Sequence, residues 1–199
     1  KNLSKTIISI INEDYLKFQQ YYNIALSSDV KLINIIIKYI SKRKGKQLRP
    51  LLTLLAGNIC SNANEKTYKS AALIEILHIA TLVHDDIVDE SNLRRGMPSI
   101  NRIWKNKISL LIGDYIFSKS LSTIIQLEDL DSIKTLSKAA DRLSKGEILQ
   151  IQESRKGKMD EAVYYNMITD KTASLFMAAT ELSARVSSSN NQDVENFKN

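Results

Sequence analysis

The chain has 199 residues, 43% of them hydrophobic, with six glycines, two prolines and a net charge of +6. That length suits one domain, residues 1–199, with a sizeable core, and the scarcity of breakers argues for an all-α fold. The basic balance is compatible with nucleic acid, an anionic membrane surface or an anionic substrate, but the basic residues lack interleaved aromatics, which excludes nucleic acid as the expected partner. Cys60 is the single cysteine, so no internal disulfide forms and a reducing, cytoplasmic setting is expected. No apolar run approaches the roughly 20 residues of a membrane span. The longest candidate, Leu73 to Val83, is interrupted by Glu75 and His78.

The apolar periodicity predicts helices nearly throughout. The first covers residues 3–26, with Ile7, Ile8, Ile11, Tyr15 and Phe18 on one side. Ser27-Ser28-Asp29 offers a cap for a second, over 30–43, ended by Gly45. Pro50 suits the first turn of a third, reaching residue 60. After the loop Asn62 to Glu65, a long buried helix runs to Asp89. Residues 91–98 read as a loop carrying two arginines. Helices follow over 107–127, 131–153 and 160–187, with a polar turn at Arg155-Lys156-Gly157-Lys158. Residues 187–199 read as loop or fraying helix.

The long buried helix ends in His84-Asp85-Asp86-Ile87-Val88-Asp89, and Arg94-Arg95-Gly96-Met97-Pro98 follows. Asp85 and Asp89 stand four apart, so they share a helix face and repel unless a cation lies between them. Acids at a helix C-terminus also oppose the macrodipole. One or two carboxylates, completed by water and phosphate oxygens, suit Mg²⁺. Arginines supply planar forks for phosphate. Glu75, His78, Thr81, Asp85 and Asp89 step by three, three, four and four, within an arc of roughly 120°. Such a stripe on a buried helix needs partners, water or a cavity. The local chemistry reads as magnesium plus diphosphate. The densest basic cluster is Lys42-Arg43-Lys44-Gly45-Lys46, with Arg49 close behind.

The Asp-Asp-x-x-Asp motif at 85–89 with Arg-Arg-Gly-x-Pro at 94–98 resembles the first aspartate-rich region of trans-isoprenyl diphosphate synthases, the polyprenyl synthetase family. Gly45-Lys46-Gln47-Leu48-Arg49-Pro50 resembles that family's Gly-Lys-x-x-Arg-Pro motif. Gly146-Glu147-Ile148-Leu149-Gln150 resembles its Gly-Glu-x-x-Gln segment. Asp170 to Leu175 resembles its Lys-Thr helix break. The matches come in the family's order and span residues 40–180.

The resemblance implies an isoprenoid synthase-type helical bundle around a central cavity and a head-to-tail prenyl transfer. An allylic diphosphate ionises, the double bond of isopentenyl diphosphate attacks the cation, and a proton is lost. By position, Asp85 and Asp89 would ligate Mg²⁺, and Asp86 would hold nearby basic groups. Arg94 would contact the allylic diphosphate. Lys46, Arg49, His78 and Arg95 would bind isopentenyl diphosphate. Lys171 and Thr172 would face the forming cation and the leaving diphosphate, with Gln150 lining the same cavity. His84 receives no role. Small Ala80 and Thr81 leave the pocket floor open, so a product beyond fifteen carbons is expected, in the medium- to long-chain range. Leu77 or Phe117 would set the limit. A homodimer is expected by resemblance only.

The family's second aspartate-rich motif does not occur, because Asp85-Asp86 is the only Asp-Asp pair. The chain also starts at Lys1 without a methionine and stops at Asn199. It is therefore expected to be the N-terminal two-thirds of a longer protein, without the C-terminal helices, and weakly active or inactive alone. Two other readings stay open: a non-catalytic helical subunit of a prenyl synthase, and a class I terpene cyclase. Intact metal and phosphate residues argue against the first. The isopentenyl-site residues argue against the second, since a cyclase holds no second substrate.

Overall fold

The structure, a computed structural model, describes residues 3–42, 45–156, 160–188 and 190–198. Arg43, Lys44, Gly157 and Lys158, which belong to the basic cluster and the polar turn of the sequence, lie outside the described residues.

The N-terminal helix is two helices, α1 (Leu3–Ile10) and α2 (Asn12–Leu26). Ile11 breaks it, with φ −111° and ψ 36°. The bend lets Ile7 and Ile8 of α1 reach the same core as Phe18 and Tyr22 of α2. Helix α3 (Lys31–Ser41) starts one residue later than expected, with Val30 in the cap position. Its entry is still held by Ser28, whose hydroxyl accepts the Val30 N–H at 3.2 Å and whose carbonyl accepts Asn34 Nδ2 at 2.6 Å. Helix α4 (Leu48–Cys60) has Pro50 in its first turn, where no N–H is needed.

Helix α5 (Glu65–Val88) is the axis of the molecule. Asn64 and Thr67 close its N-terminus reciprocally: the Asn64 side chain accepts the Thr67 N–H, and the Thr67 hydroxyl accepts the Asn64 N–H. Residues Ala71 to Leu77 are all buried. A helix apolar all round must be surrounded, and α5 packs against α2, α4, α6 (Ile100–Ile125) and α9 (Ser174–Ser187). The arginine loop is a small hairpin, β1 (Leu93–Arg94) with β2 (Met97–Pro98). Helix α7 (Leu130–Ser154) is capped by Asp129, which accepts the Ser132 N–H at 2.7 Å. The last long segment is α8 (Glu161–Ile168), a π turn (Thr169–Ala173), then α9; the C-terminal stretch folds into the short α10 (Asn191–Asn196).

Two cores flank α5. Phe18, Ile36, Leu51, Ile76 and Ile116 build one, joining α2 to α6. Leu73, Leu77, Ile124, Leu136, Leu175 and Leu182 build the other, joining α5 and α6 to α7 and α9. The fold is all-α, as the periodicity predicts, apart from the two-residue strands.

Helix α6 is kinked at Lys105, whose φ of 67° and ψ of 162° are not helical, so its continuous part begins beside the expected residue 107, and it is apolar overall. By length and composition it meets the size of a membrane span. Its apolar residues alternate with Ser, Lys and Asn, so no uninterrupted run marks it in the sequence. Ile112, Ile116 and Ile124 face the core, while Leu110, Leu121 and Ile125 are exposed.

Candidate active site

The polar stripe of α5 survives in three dimensions. Glu75 is buried at its lower end. Thr81 turns its hydroxyl back to the His78 carbonyl at 2.8 Å. Asp85 is half-buried, and Asp89 is the exposed C-cap, its N–H donating to the Asp85 carbonyl at 2.8 Å. Burial pushes the Asp85 carboxyl up to about 6, with Glu147 and Asp89 adding repulsion and Lys171 and Arg94 opposing it. A carboxylate so crowded by its neighbours gains from an added cation. Among the described residues no three His, Cys, Asp or Glu side chains converge into a closed metal cage. Two carboxylates of an open site, completed by ligand oxygens, fit Mg²⁺ better than a cage would.

Across from the stripe, α4 and the hairpin supply cations. Lys46, Arg49, His78 and Arg95 line one cavity of about 310 Å³, with Phe176 from α9 as its apolar wall. The Arg49 guanidinium stacks on the Phe176 ring, 4.4 Å from the centroid, and its Nη1 lies 3.1 Å from His78 Nε2. Arg49 Nε is buried with no hydrogen-bond partner. Gln47 holds the left-handed backbone φ of 47° that starts α4, a strained value for a residue with a side chain. Its amide oxygen is anchored by Tyr15 Oη at 2.6 Å and Gln19 Nε2 at 3.3 Å. Gly45 lies beyond the end of α3, whose C-cap is Lys42 and not the expected glycine, and it serves the site instead. A Cβ there would overlap the Arg95 guanidinium, so glycine leaves the arginine its place.

A third wall comes from α7 and the π turn. The helix break at Lys171-Thr172 takes the form of this turn, with the Ser174 N–H reaching back to the Thr169 carbonyl. Lys171 Nζ donates to Gln150 Oε1 at 2.8 Å and pairs with Glu147 Oε2 at 2.5 Å. Thr172 is exposed.

Some predicted residues stand apart from these walls. Arg94 pairs with Asp86 through Nε and Oδ1 at 2.6 Å, over a smaller cavity of about 60 Å³ beside the first. Asp86 thus does what the sequence implies, holding a basic group. Ala80 is buried in the α2–α6 core and Leu77 in the α7–α9 core. Thr81 alone of the three keeps partial exposure. His84 lies 3.3 Å from Asp114 across the α5–α6 contact.

One helix, α5, thus carries both the carboxylates and a wall of the cationic cavity. The polyprenyl synthetase family profile matches residues 30–199. This chain belongs to the polyprenyl synthetase family. It is 36% identical over 181 residues to an all-trans-nonaprenyl-diphosphate synthase (geranyl-diphosphate specific) of Rhodobacter capsulatus, covering 90% of this chain and 56% of that protein. It is 38% identical over 158 residues to the octaprenyl diphosphate synthase of Escherichia coli K12, covering 79% and 49%. Among solved structures, a polyprenyl synthase from Caulobacter crescentus CB15, complexed with calcium and isoprenyl diphosphate, superposes with TM-score 0.93 at 31% identity. That match covers 98% of this chain and 60% of the other. The chain spans about half the length of the curated relatives it matches.

Polyprenyl synthetase motifs point to most of these residues, but not to Gln47, Phe176 or Glu147 as parts of the site. Gln47 and Glu147 lie inside quoted motifs and were readable as candidates by position. Phe176 carried no signal, since an aromatic in an apolar run reads as core.

Proposed function

We propose that the protein containing this chain is a trans-prenyltransferase. It condenses isopentenyl diphosphate with an allylic diphosphate and releases a polyprenyl diphosphate longer than fifteen carbons. The observation that carries the reading is the cavity lined by Lys46, Arg49, His78 and Arg95, with His78 on the same helical stripe as Asp85 and Asp89. Two anionic substrates need two groups of positive charge, and a cyclase needs only one.

The cationic cavity binds the diphosphate of isopentenyl diphosphate. Lys46 and Arg95 offer exposed charge, and Arg49 is aimed by Phe176 and His78. Asp85 and Asp89 hold Mg²⁺, which when bound neutralises the allylic diphosphate and makes it a better leaving group. Arg94, held by Asp86 but within electrostatic reach of Asp85, completes the cradle for that leaving group together with Lys171, Thr172 and Gln150. The isopentenyl double bond attacks the allylic cation, a proton leaves the adduct, and the new double bond forms.

The exposed apolar residues of α6, among them Leu110, Leu121 and Ile125, support a homodimer that buries this face. A relative from Geobacillus stearothermophilus, 30% identical, is named heptaprenyl diphosphate synthase component 2, so a partner of another sequence is the competing assembly. The lone cysteine supports a cytoplasmic setting.

The test is incorporation of radiolabelled isopentenyl diphosphate into chain-extended product by the full-length protein with Mg²⁺ and an allylic primer. Extended product supports the reading. Release of inorganic diphosphate from the allylic primer alone, with a cyclised hydrocarbon, would point to the cyclase. No turnover without a second polypeptide would point to the subunit reading.

A further inference from the structure

Helix α7 grips the π turn through a row of contacts. Arg142 Nε donates to Asp170 Oδ1 at 2.6 Å. Gly146 lies so close that an added Cβ would sit 2.7 Å from the Lys171 backbone nitrogen. Glu147 Oε2 pairs with Lys171 Nζ at 2.5 Å, and Gln150 Oε1 accepts from the same nitrogen at 2.8 Å. The gripping residues follow the three-to-four spacing of one helix side.

Glu147 is the unusual member. Its side chain is 17% exposed, and its second oxygen, Oε1, is buried without a hydrogen-bond partner. Leaving a carboxylate oxygen so is costly, and a carboxylate kept for stability alone is expected to have both oxygens satisfied. Lysine, for its part, carries its charge on a long stem with large rotamer freedom. Two acceptors one turn apart on a rigid helix remove that freedom. Gly146 brings the turn close enough for them to reach. Repulsion by Glu147 is also felt at Asp85, so the anchor of Lys171 stands within electrostatic reach of the aspartate pair.

We infer that Glu147 is a positioning residue, which aims the Lys171 ammonium at the leaving diphosphate. The inference rests on the condensation reading given above. It acts through Lys171 and not by touching substrate.

A double-mutant cycle in the full-length protein tests it, with Glu147→Gln, Lys171→Met and both together. Turnover and the allylic KM are measured at saturating isopentenyl diphosphate, and circular dichroism checks each fold. Glu147→Gln is expected to lower kcat by roughly 10²-fold, the scale of a misplacement near 1 Å, without raising the allylic KM. In the Lys171→Met background the same change is expected to cost nothing more. An equal loss in both backgrounds would mean that Glu147 acts elsewhere and would overturn the inference, as would parental turnover in Glu147→Gln. If Glu147→Gln does not fold, Glu147→Asp keeps the charge on a shorter arm and is read in the same cycle by the same criterion. Failure of the unmutated protein to condense the substrates would instead overturn the underlying reading, and the inference with it.

Discussion

Arg49 Nη1 lies 3.1 Å from His78 Nε2, and a guanidinium only donates, so this histidine nitrogen accepts. His78 is therefore neutral, with its proton on Nδ1. Burial first, then Arg49, Arg95 and Arg94, push its pKa down to about 3. The unfolded chain, with an ordinary histidine near 6.5, binds more protons between those two values. Stability from His78 is then fully present above pH 6.5 and is lost as pH falls toward 3. His78→Gln keeps an acceptor and cannot titrate. Between pH 7 and pH 4.5, urea unfolding should show the parent losing about 2 kcal/mol more than this variant. Parallel losses in the two proteins would mean that His78 is not buried neutral.

Asp85 and Asp89 should fail separately. Either Asp85→Ala or Asp89→Ala in the full-length protein should lower kcat/KM by roughly 10³-fold, because each removes one metal carboxylate. Near-normal turnover in either variant would remove that residue from the metal site.

Product length should respond to Thr81 and not cleanly to Ala80. Thr81 is partly exposed, so Thr81→Phe should shorten the product, read by chromatography of the dephosphorylated alcohols. Ala80 is 1% exposed within packed core, and Ala80→Phe should cost about 1–3 kcal/mol by overpacking. An unchanged product in a folded Thr81→Phe protein would place the pocket floor elsewhere.

Asp86 should matter for stability through Arg94. Its side chain is 3% exposed, and it pairs with Arg94 at 2.6 Å. Asp86→Asn should lower stability by about 1–3 kcal/mol. Adding Arg94→Ala should cost less than Arg94→Ala does alone in the parent. Strict additivity in thermal unfolding would show that the pair contributes nothing.

The outer face of α6 should hold two copies together. Leu110→Glu with Leu121→Glu puts two charges on exposed positions of that face. If the protein is a homodimer through α6, light scattering should show the variant as a monomer. A dimer unaffected by both changes would assign the contact to another surface.

Local chemistry along the chain specifies the helices and the aspartate pair. Helical period is a local property, so α5 and its stripe from Glu75 to Asp89 were legible from spacing alone. Likewise the Asn64–Thr67 cap, Pro50 and the arginine loop follow from chemistry within a few residues. What each residue faces follows from how the helices pack. Arg49 meets His78 twenty-nine positions away and Phe176 still further, and Lys171 meets Glu147 only because Gly146 admits the π turn. Packing likewise buries Ala80, small in sequence and so a natural pocket floor, in the core that spans α2 to α6. Residue type and period record what a position prefers, whereas burial and pairing depend on which distant segments close over it.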